Sequence, residues 1–416
     1  MQKQKFWSYE NKLVAIFFFT IGFVFFDRLA INFLIPYIQE DFSLTNTQIG
    51  MLASALAISW AISSPLVSYL SDKVKSKTAV LLICVLLFSL LSFAHGLTAT
   101  FGSLLILRLL MGFAEGPIIP ITSSILAQES NKKRLGFNLG FTTGTSYGVF
   151  GGLLAPIVIV ALANAFDWKT AFYLTIIPGL VIGFFIWKTV KNPQASQEVS
   201  SSSVARAEKV SIKAVLKNRN VWLCLIIASS LWVFLLPFSI FTPLYLVNVK
   251  GLSASTMSFI MAAFGLGIAV WGFIVPAISD RIGRKPATFG FMILTVFAPF
   301  VIIYVNNLVL MSVLLFILVS GIGALAMLTT IIPSESVPVK YAAATMGLIL
   351  ASTEIIGGVL SPLFTGMAAD AWGLAAPLLI SSCGAFVACL FTLFLRETAP
   401  VKVQVTPNVE MLGHNN

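Results

Sequence analysis

Residues 13–36 read Leu13-Val14-Ala15-Ile16-Phe17-Phe18-Phe19-Thr20-Ile21-Gly22-Phe23-Val24-Phe25-Phe26-Asp27-Arg28-Leu29-Ala30-Ile31-Asn32-Phe33-Leu34-Ile35-Pro36. About 20 apolar residues in a helix cover the ~30 Å hydrocarbon core of a bilayer, so a helix through this run crosses a membrane. An ionisable side chain at such depth costs at least ~2.5–3.5 kcal/mol and is tolerated where it faces a bundle interior or a watery cavity. Asp27 and Arg28 therefore mark a pathway. Three further charges share this setting, Arg108 and Glu115 in one later run and Glu354 in another.

Composition extends the reading to the whole chain. Of 416 residues, 58% are hydrophobic and 10% charged, against about 25% charged in soluble domains. Runs long enough to span lie near 13–36, 49–69, 78–97, 101–126, 136–163, 170–188, 220–247, 254–278, 287–305, 308–333, 341–369 and 374–395. Each is continuously apolar and not alternating, which predicts helices and excludes barrel strands. The first run lacks a signal-peptide cleavage pattern and is expected to be a retained span. The fold class expected is an all-α membrane protein with twelve transmembrane helices.

The basic residues set the orientation. Of 26 Lys and Arg, Arg28 and Arg108 are intramembrane, and 22 of the other 24 fall on one side if the N-terminus is cytoplasmic; only Lys169 and Lys250 fall outside. That split satisfies the positive-inside rule with both termini cytoplasmic. It predicts a multi-pass protein of the plasma (inner) membrane. The net charge of +10 is explained by contact with anionic membrane lipid, without nucleic acid. His95, at the outer end of span three, is expected at the interface. Cys84, Cys224, Cys383 and Cys389 all lie in spans, form no CxxC, and read as small buried hydrophobes.

The chain divides into a cytoplasmic N-terminal tail (1–12), a six-helix half (13–190), a cytoplasmic linker (191–219) containing Ser200-Ser201-Ser202-Ser203, a second six-helix half (220–397) and a cytoplasmic tail (398–416). Val210, Val215 and Leu216 among lysines suggest a short surface helix at the linker's end. The halves echo each other. Ser71-Asp72-Lys73-Val74-Lys75-Ser76-Lys77 is matched 208 residues later by Ser279-Asp280-Arg281-Ile282-Gly283-Arg284-Lys285, and Gly151-Gly152-Leu153-Leu154-Ala155-Pro156 is matched 206 residues later by Gly357-Gly358-Val359-Leu360-Ser361-Pro362. Two landmarks in the same order at nearly one offset indicate a parallel repeat.

On these motifs the chain resembles the major facilitator superfamily over about residues 10–397. The second loop copy matches that superfamily's signature well. The first departs from it, with Ser68 and Lys75 where the pattern has Gly. The resemblance implies a gating role for Asp72, Lys73, Asp280, Arg281, Gly283 and Arg284: an Asp at a helix end can accept from a neighbouring helix N-terminus and pair with Arg. Asp27-Arg28, with Arg108-Leu109-Leu110-Met111-Gly112-Phe113-Ala114-Glu115-Gly116-Pro117, resembles the anion:cation symporter family. That likeness implies that the span-one Arg binds a substrate carboxylate and that acids in spans one and four take protons. Span two resembles the Spinster lysolipid carriers equally well, and Trp60 stands near the position of a substrate-contacting Tyr in the symporters.

Geometry adds expectations of its own. With span one ending near Pro36, Asp27 and Arg28 would lie ~6–9 Å below the outer surface, with Arg108 at similar depth and Glu115 ~10 Å deeper on the same face of its helix. Neighbouring residues on a helix do not face each other, so Asp27 is expected to pair with Arg108, leaving Arg28 for a ligand anion. The bland alternative is a static ion cluster holding helices together. No base lies in any second-half span, so Glu354 is expected to be unpaired and neutral: a proton site, a donor to a substrate hydroxyl, or a helix-to-helix hydrogen bond. The candidate substrate-binding set is Arg28, Trp60, Tyr147 and Glu354; the proton-coupling set is Asp27, Glu115 and Arg108.

No HExxH, GxSxG or Walker loop is present, so neither an enzyme nor a nucleotide-driven pump is expected. The expectation is a monomeric, proton-coupled symporter of a small organic anion, with no cofactor beyond the proton. The alternatives are a Spinster-like lysolipid carrier, proton-driven efflux and, least supported, a channel.

Overall fold

Ser8 opens the first helix by accepting from the Asn11 backbone N–H at 3.3 Å. The computed structural model describes residues 8–74, 76–131, 134–192 and 218–403. Twelve helices long and apolar enough to cross a membrane occupy them: α1 (Tyr9–Phe42), α2 (Asn46–Ser71), α3 (Lys77–His95), α4 (Phe101–Glu129), α5 (Leu135–Ala165), α6 (Trp168–Thr189), α7 (Arg219–Val249), α8 (Ala254–Ile282), α9 (Arg284–Tyr304), α10 (Leu308–Ser336), α11 (Ala344–Trp372) and α12 (Ala375–Thr392). The surface helix expected at 210–216 and tail residues 404–416 lie outside the described residues. Caps follow the local chemistry. Asp167 accepts from the Thr170 backbone N–H at 2.5 Å to start α6, a bond that holds its carboxyl below the usual carboxylate range.

The first helix departs from expectation. It does not end near Pro36 but continues to Phe42. Proline removes one N–H, yet a membrane helix accommodates this where neighbours satisfy the freed groups. At 1.5 Å per residue α1 is about 51 Å long, and Asp27 and Arg28 lie roughly 27–29 Å along it. They sit near the middle of the helix and not within two turns of its far end.

Both Gly-Gly landmarks mark the same local device. Wide, π-helical turns run over Tyr147–Leu154 in α5 and Glu354–Leu360 in α11. Each leads into a proline, Pro156 or Pro362, whose missing N–H leaves the carbonyl four residues back without its partner and lets the helix widen. The glycines also permit close crossings between halves. A Cβ on Gly265 of α8 would overlap the Gly152 carbonyl carbon of α5, and one on Gly50 of α2 would overlap the Pro362 carbonyl oxygen of α11.

These crossings define two sides. We call the side where the chain enters α1 the terminal face, and the opposite side the far face. Beyond mid-depth toward the far face, α8 packs on α5 from Tyr147 onward and α2 packs on α11 from Glu354 to Trp372. Toward the terminal face the same helices touch only lightly. Links across the far end include Asn164 to Ser255 at 3.0 Å and Asn248 to Gln39 at 3.1 Å. The two six-helix halves thus meet at the far face and part below Tyr147 and Glu354, leaving a cleft open at the terminal face.

Candidate functional site

The apex of that cleft is where the intramembrane charges gather. Arg28 of α1 reaches Glu354 of α11, Nη2 to Oε2 at 3.6 Å, with side-chain exposures of 11% and 17%. Its guanidinium carbon also lies 4.5 Å from the centroid of the Trp60 ring on α2, a stacking geometry that an ammonium copies poorly. Tyr147 stands within electrostatic reach of both Arg28 and Glu354 and packs edge-on against Phe25, with centroids 4.8 Å apart. All four candidate substrate-binding residues therefore surround one point.

Two expectations are corrected here. Arg28 is not without an acid, and Glu354 is not unpaired. The bases of the second-half spans, Arg219, Arg281, Arg284 and Lys285, lie at helix ends, but Arg28 comes from the first half and the pair crosses between them. The contact is ionic only, for Glu354 Oε2 is buried without a hydrogen-bond partner among the described residues.

The proton-coupling candidates form a layer behind Arg28. Asp27 is fully buried and accepts at Oδ1 from the Ser92 hydroxyl of α3 at 2.5 Å; Ser92 in turn meets Thr175 of α6 at 2.7 Å. No ion pair joins Asp27 to Arg108 among the described residues, contrary to expectation; Ser92 donates to Oδ1, and Oδ2 is buried without a hydrogen-bond partner among the described residues. Arg108 is 1% exposed, with Nε and Nη2 free of hydrogen bonds among the described residues. Glu115 is 0% exposed with both oxygens likewise free. It ends the straight part of α4, before the bend at Gly116-Pro117. His95, the last residue of α3, is fully buried, its Nδ1 2.7 Å from the Leu91 carbonyl and its ring stacked on Phe172. Just beyond Arg28 lies a cavity of about 30 Å³ bounded by Asn32, Leu56, Arg108, Leu236 and Ile240 among others, and a separate one of about 370 Å³ lies at the far end between Tyr37 and Gln39 of α1 and Val247 and Asn248 of α7. The cavity next to Arg28 holds a water or two, too little for an organic ligand, whereas the halves part on the terminal side.

The loop motifs fare differently from each other. In the second copy, Arg284 donates from Nη1 to Asp280 at 2.5 Å and to Ser279 at 2.7 Å, and forks onto Glu335 through Nη2 and Nε at 2.9 and 3.3 Å. Gly283 takes φ +109°, where a Cβ would lie 2.6 Å from Glu397 Oε2. That turn presents the Arg284 and Lys285 backbone N–H groups to the Glu397 carboxylate at 2.7 and 3.1 Å. Arg281 is exposed outside this network. In the first copy, Lys73 lies over its own helix's Tyr69 ring at 4.3 Å, and the side chain of Asp72 lies outside the described residues. The second-copy bonds stay within the second half, so in this state they brace α8, α9 and α10 and do not bridge the halves.

Sequence reasoning missed Ser92, Thr175, Glu335, Glu397 and also Asp370 of α11, which accepts from the Asn46 and Thr47 backbone N–H groups that open α2. Glu335 was findable: Glu335-Ser336 repeats Glu129-Ser130 at the same offset of 206 residues as the Gly-Gly landmarks. The hydroxyls of Ser92 and Thr175 carry no pattern that separates them from other small polar residues in spans.

Two six-helix halves closing on a shared charged site define a transporter and not an enzyme. The chain belongs to the Major Facilitator Superfamily, whose sequence pattern matches residues 17–356. It is 31% identical over 293 residues to a hexuronate transporter of Bacillus subtilis (strain 168), covering 68% of each chain. It is 23% identical over 422 residues to a D-galactonate transporter of Escherichia coli O6:H1, covering 92% of this chain and 94% of that one. In fold it resembles the crystal structure of a bacterial homologue of the human lysosomal transporter Spinster, inward-facing and occupied, with a TM-score of 0.77 at 17% identity over 94% and 97% of the chains.

Proposed function

We infer that this protein is a proton-coupled symporter of a small organic anion of the sugar-acid class, working by alternating access as a monomer in the plasma membrane with both termini cytoplasmic. The observation that carries this reading is Arg28 at the apex of the open cleft, ringed by Trp60, Tyr147 and Glu354. A guanidinium there can hold a carboxylate through two parallel hydrogen bonds, while the Trp and Tyr rings offer faces and a hydroxyl to a polyhydroxylated body. The substrates for which the two relatives are named, hexuronate and D-galactonate, are of this class.

Asp27 and Glu115, buried on either side of Arg108 in electrostatic terms, are the acids that exchange the coupling proton. The terminal face is the cytoplasmic one, as the basic residues dictate, and the cleft is therefore open inward. Uptake of radiolabelled D-galacturonate into proteoliposomes tests the proposal. An imposed inward proton gradient accelerates uptake severalfold, and a sodium gradient at constant pH does not. Uptake that follows sodium, or thermal stabilisation by lysolipid and by no organic acid, overturns it in favour of sodium coupling or of a Spinster-like carrier respectively.

A further inference from the structure

We propose that Glu354 is the resident counter-ion of Arg28, that the substrate carboxylate takes its place, and that Glu354 accepts a proton as the site fills. The proposal rests on the reading of Arg28 as the carboxylate anchor and adds to it a second proton-accepting group, in the other half of the molecule.

Charge balance requires the proton. In the empty site Arg28 and Glu354 form a nearly neutral pair at 3.6 Å, largely out of water. A carboxylate that forks onto Arg28 would leave two anions sharing one cation in a site of low polarity. Like charges so placed do not both persist, and one carboxyl takes a proton. The proton comes from the aqueous cleft and lands on a Glu354 oxygen, while two Arg28 N–H groups donate to the ligand carboxylate. Nothing else nearby compensates. From α1 Glu354 faces Arg28, and from α5 it faces Tyr147. The parts of α2 and α7 that pack beside this stretch of α11, around Ala57 and Trp232, carry no charged residue. Arg108 and Glu115 reach Arg28 only from behind.

Its placement makes Glu354 ready for release. Oε2 has no hydrogen bond to lose, and the side chain folds back over Gly358, where a Cβ would come within 2.7 Å of it. The pair also ties α1 to α11 just where the halves begin to part, so dismissing it loosens a link between them. A substrate hydroxyl beside a protonated Glu354 gains a donor that an anionic one could not supply.

Equilibrium binding of D-galacturonate to the purified full-length protein, measured by calorimetry between pH 5 and 8, decides the matter. One linked proton makes Kd rise tenfold per pH unit in the window where it is taken up. Glu354→Gln, which keeps shape and loses the charge, should cut the slope of log Kd against pH by about one and bind more tightly than wild type at pH 8. Glu354→Asp should keep the slope. An unchanged slope in the Gln variant overturns the proposal. Should that variant not fold, the infrared difference spectrum of wild type on adding galacturonate serves instead. A newly protonated carboxyl band that moves in Glu354→Asp supports the proposal, and no such band overturns it. Arg28→Lys separates the two readings. If it binds like wild type, or wild type binds no galacturonate, the anchor reading itself fails and this one with it.

Discussion

Arg28 and Arg108 are the same residue type within one charged layer, yet their surroundings assign them different work. Arg28 reaches the cleft, stacks on Trp60 and touches an acid that belongs to the other half. Arg108 is sealed, with two nitrogens bare of hydrogen bonds among the described residues. Arg28→Lys keeps the charge but loses the planar fork, so galacturonate affinity should fall by about 1.5–3 kcal/mol, or roughly ten- to a hundredfold, while thermal stability holds. Arg108→Gln should leave affinity within a few fold but abolish gradient-driven accumulation, because Asp27 and Glu115 lose their shared counter-charge. Calorimetric affinities beside proteoliposome uptake check both, and exchanged phenotypes would exchange the roles. The sequence made these residues legible because a charge in an apolar run announces itself. What it concealed was pairing. Adjacent charges on α1 diverge by ~100°, and whether Asp27 meets Arg108 or Ser92 depends on where α3 stands, which no spacing within one helix reports.

At the scale of elements, the repeat was readable and its mechanical use was not. The Gly-Gly-x-x-x-Pro landmarks located α5 and α11 and their common wide turn, but their partners, Gly265 of α8 and Gly50 of α2, sit in no motif. Gly265→Ala would drive a methyl into the Gly152 carbonyl carbon, a clash that only separating the halves relieves. We expect it to shift the population toward the far-face-open state, read as faster labelling of a cysteine placed at Asn164. Gly272→Ala, on the same helix with nothing within 4 Å, should leave labelling unchanged and gain at most ~1 kcal/mol from helix propensity. The loop motif gives the opposite lesson. It was legible as a charged cluster, but its bonds to Glu335 and Glu397 fasten α8, α9 and α10 inside one half. Glu335→Gln should therefore lower thermal stability, by about 1–3 kcal/mol, without altering which face is open. A changed facing equilibrium in the same labelling assay would support the gate role.

For the whole molecule, the question is what holds the far face shut while the terminal face stands open. Packing of α5 on α8 and α2 on α11 supplies area, but apolar contact in a membrane gains little over contact with lipid. Direction comes from polar links, and the strongest joins the ends of two helices from different halves. Asp370, in the last turn of α11, accepts from the backbone N–H groups of Asn46 and Thr47 at 2.8 Å each and from the Thr47 hydroxyl at 2.5 Å. Those N–H groups open α2, where no helical carbonyl can satisfy them and where the helix dipole favours an anion. The carboxylate is thus a cap supplied by the other half, and it can act only while the far face is closed. A carboxamide in its place would keep one acceptor and turn a donor toward the other N–H, so Asp370→Asn should forfeit about 1–3 kcal/mol of closure. Since 1.4 kcal/mol is a factor of ten, the far-face-open population should rise by roughly five- to a hundredfold. Thr47→Ala, which removes only the hydroxyl bond, should give a smaller shift of the same sign. Spin-label distances between the far ends of α2 and α11, measured in nanodiscs, would show a second, longer population. Distances unchanged from wild type in both variants would mean that the latch adds nothing beyond packing.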